Sequence, residues 1–189
     1  MNLPNKLTVL RTAMVPFFLV FLLIDAIPNN YLWACIIFAV ASFTDFLDGN
    51  IARKHNLVTN FGKFLDPLAD KILVTCAIVA FVTLGLASPI AVIIIIARDY
   101  IVSALRLIAV SSNGKVIAAN WWGKVKTALQ MISIVAILLV MHLSESAGFI
   151  SLETVRQGSN IVMWILAAFT GLSGIVYFKQ NISLLSDAE

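Results

Sequence analysis

The sequence predicts an all-α polytopic membrane protein with six transmembrane helices, and three observations support this fold class. Of the 189 residues, 60% are hydrophobic and 12% are charged, whereas soluble domains average about 25% charged residues. The apolar residues form successive runs that approach or reach the ~20 residues a spanning helix needs. Short segments rich in Gly, Pro, Asn and Ser separate the runs, and such segments favour turns. We therefore expect a single membrane domain over residues 1–189.

The predicted spans follow one another through short connections. We interpret the first as a retained helix, because no small-residue cleavage site follows its apolar run, as it would in a signal peptide. Residues 1–9 precede it and contain Pro4 and Asn5, which indicates a short interfacial turn or helix. The six predicted spans are residues 10–27, 31–52, 62–84, 89–111, 123–143 and 155–178.

The basic residues indicate how the spans are oriented. Six spans place both termini on one side of the membrane, together with the connections at 53–62 and 112–126. That side carries Lys6, Arg11, Arg53, Lys54, Lys115, Lys124, Lys126 and Lys179, and the other side carries only Arg156, beside Asp25, Glu145 and Glu153. Short loops rich in Lys and Arg stay in the cytoplasm. We expect both termini to be cytoplasmic, with a bacterial inner membrane as the setting.

Four aspartates within residues 45–70 are the main functional signal. Asp45 and Asp48 lie at the cytoplasmic end of the second span, and Asp66 and Asp70 lie at the start of the third. A carboxylate in or near hydrocarbon is costly, so such a residue is a functional-site hypothesis. Four of them would repel one another unless a divalent cation were bound. Mg²⁺ prefers carboxylate oxygens and keeps positions open for substrate phosphate.

Helical phase groups these aspartates into two stripes, because residues three and four apart share a face. The first stripe is Ala41, Asp45, Asp48, Gly49 and Ala52, and the second is Thr59, Gly62, Asp66, Asp70, Leu73 and Ala77. We expect the second and third spans to pair antiparallel, so that the stripes face each other. Pro67 is predicted near the helix start, where its missing N–H is tolerated.

The residues around the stripes suit phosphoryl transfer. The small residues leave room for a nucleotide, and Arg53, offset by about 80°, can reach a phosphate oxygen. In such reactions bound ions neutralise developing charge while the protein mainly positions the reactants. The alternative is a solvated network at the helix ends, in which the aspartates pair with Arg53, Lys54, Lys63 and Lys71.

The same residues resemble the signature of the CDP-alcohol phosphatidyltransferases at every position. The matching residues are Asp45-x-x-Asp48-Gly49-x-x-Ala52-Arg53, eight intervening residues, and Gly62-x-x-x-Asp66-x-x-x-Asp70. The resemblance implies that family's fold, a homodimer, CDP-diacylglycerol as the donor, and two Mg²⁺ or Mn²⁺ ions on the four aspartates. It also implies that Asp70 is the general base for the acceptor hydroxyl. Gly49, Arg53 and Thr59 would contact the CDP group.

The amino-terminal segment from Pro4 to Arg11 also resembles the family's opening. The resemblance implies that Thr8 and Arg11 approach the nucleotide. As an alternative, Thr8 is a helix cap and Arg11 is a topology anchor.

The fourth span bears on the acceptor. Asp99, Ser103 and Arg106 fall within about 60° of arc, while Arg98 lies about 100° away and is expected to pair elsewhere. Arg106 would receive an anionic head group, since guanidinium matches phosphate oxygens. Alternatively, Asp99 and Arg106 neutralise each other and join helices.

The fifth span begins with Gly123-Lys124-Val125-Lys126-Thr127. With the fourth, it resembles the family branch that uses sn-glycerol 3-phosphate, which implies phosphatidylglycerophosphate and CMP as products. Arg106, Lys124 and Lys126 are the candidate acceptor ligands. The two lysines point about 200° apart, so we do not expect both to contribute directly; lysines here are also ordinary topology anchors.

Other functions remain open at this point. Within the family, the acceptor could be phosphatidylglycerol, as in a cardiolipin-forming enzyme, inositol phosphate or serine. A membrane prenyltransferase carries two widely separated aspartate motifs, whereas this chain has one. A divalent-cation transporter would place its acidic residues near the bilayer midplane on broken helices. No nucleic-acid partner is expected. Ala167, Gly171 and Gly174 form a small-residue face suited to close packing, between subunits or within one chain.

Overall fold

A computed structural model shows six α-helices and, over the residues described, no strand. The structure describes the backbone of residues 3–55, 60–113, 121–148 and 150–181, and the side chains of residues 8–44, 71–105, 121, 123–148 and 150–179. The helices are α1 Leu3–Leu23, α2 Asn30–His55, α3 Asn60–Thr83, α4 Pro89–Asn113, α5 Trp121–Ala147 and α6 Leu152–Asn181.

Each helix coincides with one predicted span, and the differences lie at the ends. Helix α1 begins at Leu3 rather than at residue 10, so residues 3–9 are its first turns and not a separate segment. Hydropathy marks only the apolar part of a helix, whereas backbone hydrogen bonding continues through polar turns. Because α3 begins at Asn60, Pro67 lies in its interior. The prediction that the missing N–H of Pro67 is one of the donors left unpaired at a helix start is therefore wrong.

The helices pack as a ring. Among the described residues, neighbours follow in the order α1, α2, α5, α6, α4, α3 and back to α1, with a further contact between α3 and α5. The rings of Phe18 in α1 and Phe38 in α2 lie 5.7 Å apart, centroid to centroid. Helix α1 thus packs against both α2 and α3. Among the described residues, α2 and α3 contact each other much less than either contacts α1. The expected α2–α3 pairing is not confirmed there.

Polar and apolar residues are distributed as in a membrane protein. Large apolar side chains such as Phe17, Phe43 and Ile165 are more than 60% exposed, and a soluble monomer rarely exposes so much contiguous apolar surface. Helices Gly123–Ala147 and Leu152–Lys179 are long and apolar enough to cross a membrane, by length and composition. The chain is therefore a membrane protein, while the number of six spans stays a prediction.

The turns at one end of the bundle meet around Arg156. This residue lines a cavity of about 390 Å³ together with Asp25 and Glu145. Its Nε lies 3.5 Å from the position a side-chain Cβ would take at Gly85, whose φ of +72° favours glycine. The α1–α2, α3–α4 and α5–α6 connections therefore share one end, as the charge pattern predicts. Which side of the membrane this end faces stays a prediction.

The small-residue face of α6 packs within the chain. Ala167 is buried, a Cβ added at Gly171 would lie 3.9 Å from Ile94 Cγ2, and one added at Gly174 would lie 2.8 Å from Arg98 Cγ. The glycines thus let α4 approach α6 closely. Of the two alternatives for this face, the structure supports packing within one chain.

Candidate active site

The aspartate motif spans the carboxyl-terminal part of α2 and the amino-terminal part of α3. Asp45 and Asp48 belong to α2, and Asp66 and Asp70 belong to α3. Their side chains lie outside the described ones, as do those of Arg53 and Arg106. Gly49 is described by its backbone alone, and Thr59 lies outside the described residues altogether. Their roles in metal, nucleotide and acceptor binding therefore stay predictions.

The described residues nearest the motif show which helix faces turn inward. Ala41 continues the stripe of α2, and Leu73 and Ala77 continue the stripe of α3. All three are buried, at 0%, 2% and 0% exposure. In the turns that adjoin the motif, the faces on which the stripes were predicted are therefore the inward faces of the bundle.

Thr8 and Arg11 lie inside the bundle on α1. They are 1% and 2% exposed, and the Thr8 carbonyl accepts a hydrogen bond from Thr12 Oγ1 at 3.1 Å. Because Thr8 lies inside α1 rather than before it, the helix-cap interpretation is wrong. A buried Arg11 is likewise not a solvent-facing topology anchor. Both residues belong to the helix that packs against α2 and α3, the helices that carry the aspartates.

The Asp99 carboxylate accepts hydrogen bonds from one cation of α4 and one cation of α5. The Lys126 ammonium donates to Asp99 Oδ2, and Arg98 Nη1 donates to Asp99 Oδ1 at 3.3 Å. The prediction that Arg98 pairs elsewhere is therefore wrong: its long side chain folds back to the adjacent carboxylate. The described partners of Asp99 are these two cations, and an Asp99–Arg106 pair is untested because Arg106 lies outside the described side chains.

The two lysines of α5 have opposite environments. Lys124 is exposed, and Lys126 is buried at 2% exposure. This agrees with their predicted separation of about 200°. The ammonium of Lys126 is also repelled by the positive charge of Lys71. Lys71 directly follows Asp70 in α3. The acceptor candidate on α5 therefore lies within electrostatic range of the helix turn that adjoins the aspartate motif.

Sequence reasoning missed Gln130, one helical turn beyond Lys126. Gln130 is 2% exposed, and its Nε2 has no hydrogen-bond partner in the described structure; the same holds for Arg98 Nε. Buried polar groups are normally paired. The available signal was a glutamine at position i+4 from Lys126, on the same helix face in an apolar run. The helix face of Lys126 thus holds a spare hydrogen-bond donor as well as a cation, whereas Arg98 Nε lies beside α6, 3.6 Å from the position a Cβ would take at Gly174.

These groups together can bind an anion. Lys126 carries three N–H donors and Arg98 five, of which Asp99 uses one each in the contacts described. In surroundings of low dielectric, such donors bind a phosphate more strongly than they would in water. The described part of the site is therefore a partly buried cationic cluster on α4 and α5.

Comparison with known proteins gives one consistent result. The family model for CDP-alcohol phosphatidyltransferase matches residues 1–172. A Bacillus subtilis protein named CDP-diacylglycerol–glycerol-3-phosphate 3-phosphatidyltransferase is 42% identical over 95% of both chains. Proteins of the same name from Rickettsia bellii, 40% identical over 94% of both chains, and from Escherichia coli K12, 39% identical over 72% of this chain and 76% of that one, also match.

Proposed function

This chain belongs to the CDP-alcohol phosphatidyltransferase family, and from that premise we propose that it transfers the phosphatidyl group of CDP-diacylglycerol to sn-glycerol 3-phosphate. The products are phosphatidylglycerophosphate and CMP. The observation that carries this proposal is the 42% identity, over 95% of both chains, to a protein named for this donor and this acceptor. The partly buried cationic cluster on α4 and α5 supports an acceptor that is an anion.

The donor end of the site rests on the four aspartates. Asp45, Asp48, Asp66 and Asp70 would hold two Mg²⁺ or Mn²⁺ ions. The donor set fits, because hard divalent cations prefer carboxylate oxygens and share their coordination with substrate phosphates. When bound, the ions supply electrostatic stabilisation of the diphosphate and of the departing CMP. Gly49, Arg53, Thr59, Thr8 and Arg11 would surround the CDP group.

The transfer itself makes and breaks one bond at phosphorus. The glycerol 1-hydroxyl attacks the phosphorus that bears diacylglycerol, and the bond from that phosphorus to CMP breaks. Asp70 would accept the hydroxyl proton. Because an ordinary aspartate has a pKa near ~3.9 and is a weak base for an alcohol, proton transfer must be late or concerted with attack. Positioning of the two substrates therefore carries much of the acceleration.

The acceptor end is assigned to basic residues of α4 and α5. Arg106, Lys124 and Lys126 were predicted as its ligands. Lys126 is the lysine that lies inside the bundle, whereas Lys124 is exposed and would act on the substrate only through its charge. We therefore assign Lys126 and Arg106 to the glycerol phosphate.

The cellular setting follows from the charge pattern. We place the chain in the cell membrane with six spans, both termini cytoplasmic and the active site open to the cytoplasm, so that the acyl chains stay in the bilayer. A homodimer, as the family resemblance implies, would use a surface other than the face of Ala167, Gly171 and Gly174, which packs against α4.

An acceptor assay tests the function directly. The purified chain is incubated with CDP-diacylglycerol and, in turn, sn-glycerol 3-phosphate, phosphatidylglycerol, inositol phosphate or serine, and CMP and lipid products are measured. We expect product only with sn-glycerol 3-phosphate. Preferential use of another alcohol would move the chain to another activity of the family, and a chain that releases no CMP with any of them would contradict the proposal.

Arg106→Ala is expected to raise the KM for sn-glycerol 3-phosphate by roughly 10-fold or more, because it removes a charge-assisted contact. The KM for CDP-diacylglycerol should change much less. Arg156→Ala is the matched control, since this arginine lies at the end of the bundle where the α1–α2, α3–α4 and α5–α6 connections meet. An acceptor KM unchanged in Arg106→Ala would remove Arg106 from the site.

A further inference from the structure

Asp99 holds cations from two helices that are not neighbours in the ring. Among the described contacts α6 lies between α4 and α5, yet Lys126 of α5 donates to Oδ2 of Asp99 in α4. Arg98 donates to the other carboxylate oxygen. Each oxygen of Asp99 is therefore engaged by a different cation, and the Lys126 side chain reaches across the interior of the ring.

Among the side chains that the structure describes, the charges of this group do not cancel. Arg98 and Lys126 contribute two positive charges against the single negative charge of Asp99, and the positive charge of Lys71 also acts on Lys126. The Lys126 side chain is 3% exposed, and those of Arg98 and Asp99 are 12% and 20% exposed. An excess of positive charge in such largely desolvated surroundings is costly unless an anion joins it. Gln130 Nε2, one helical turn beyond Lys126, has no partner among the described residues and indicates the same need for an acceptor oxygen.

We propose that Asp99 is a positioning residue of the acceptor site, holding the Lys126 ammonium and the Arg98 guanidinium where the phosphate of the acceptor binds. This inference rests on the proposed function. A lysine ends in a point charge on a flexible four-carbon stem. Without the Asp99 carboxylate, repulsion from Arg98 and Lys71 displaces that charge, and the acceptor meets a cation that is no longer pre-organised.

Gly174 gives a second, independent way to disturb the group. A Cβ added at Gly174 would lie 2.8 Å from Arg98 Cγ, so Arg98 must move in Gly174→Ala. A Cβ added at Gly171, three residues earlier on the same helix, would lie 3.9 Å from its nearest neighbour, an ordinary contact. The two alanine variants have the same chemistry and differ in whether they displace Arg98.

The experiment measures steady-state kinetics of the full chain in detergent micelles with CDP-diacylglycerol. The KM for sn-glycerol 3-phosphate is expected to rise roughly 10- to 100-fold in Asp99→Asn, as for loss of a charge-assisted hydrogen bond. The KM for CDP-diacylglycerol should stay within about threefold. Asp99→Glu, which retains the charge, should recover part of the acceptor affinity. A purely structural role would change both constants together or only the amount of folded protein.

The outcomes separate this inference from the proposed function. The wild-type chain is assayed first, so absence of product with sn-glycerol 3-phosphate counts against the function itself. With product formed, an unchanged acceptor KM in Asp99→Asn, or an equal rise in both KM values, overturns the positioning role. If Asp99→Asn does not fold, the glycine variants decide. A raised acceptor KM in Gly174→Ala but not in Gly171→Ala supports the role, and equal values overturn it.

Discussion

Asp70→Asn is expected to lower kcat by about 10²- to 10⁴-fold, the range that a general base contributes. The substitution keeps the size of the side chain and removes its capacity to accept the hydroxyl proton. Turnover is measured as CMP release at saturating donor and acceptor. Size-exclusion chromatography in detergent, where the variant should elute at the wild-type volume, reports whether the variant is folded. Asp25→Asn, a change at an exposed carboxylate in the α1–α2 connection, at the end of the bundle where Arg156 lies, is the control and should keep wild-type turnover.

The metal role predicted for Asp70 is separated from the base role by titration. If the variant loses activity because it binds metal weakly, raising Mg²⁺ should restore it. If the missing proton acceptor is the cause, activity stays low at every Mg²⁺ concentration. Near-normal turnover in Asp70→Asn would contradict the base role, and full recovery at high Mg²⁺ would leave Asp70 as a metal ligand alone.

Removing divalent metal is expected to abolish CMP release completely. Four carboxylates in one small region repel one another and the diphosphate unless cations neutralise them. The protein is treated with EDTA, assayed, and then given an excess of Mg²⁺ or Mn²⁺, which should restore turnover. EDTA already saturated with Mg²⁺ is the control for effects of the chelator itself. Full activity after exhaustive chelation would contradict metal dependence, and metal-dependent CMP release would exclude a cation transporter.

The sequence predicted the helices because their signals are local. Apolar runs and Gly, Pro and Asn punctuation located all six helices, and helical phase predicted that Lys124 and Lys126 face opposite ways. Phase also grouped Ala41, Leu73 and Ala77 with the aspartates, and these three proved to be buried. The ends were less accurate because polar residues continue a helix without any change in hydropathy. Arg11 shows a further limit, since burial of a charge depends on neighbours rather than on its own segment.

The Asp99–Lys126 pair could not be predicted from one helix at a time. It depends on the order of the helices in the ring, and Lys126 is 27 residues away in sequence. Within α4 alone, the i+7 residue Arg106 was the natural partner on the same face. The arginine next to Asp99 was discounted for a similar reason, because angular separation on a helix ignores the reach of a long side chain. Pairings across the bundle interior require the three-dimensional structure.

The pairing across the ring also constrains how the chain is assembled in the membrane. Helix α4 is synthesised before α5 and carries Arg98 and Asp99, each of which costs about 2.5–3.5 kcal/mol at the centre of an isolated inserted helix. Lys126 arrives with α5, and Gly174, which accommodates Arg98, arrives with α6. Both later helices are long and apolar enough to cross a membrane, by length and composition. The newly made α4 therefore reaches its lowest free energy only after the last two helices have entered the bilayer, because α5 brings the cation that pairs with Asp99 and α6 brings the glycine beside Arg98.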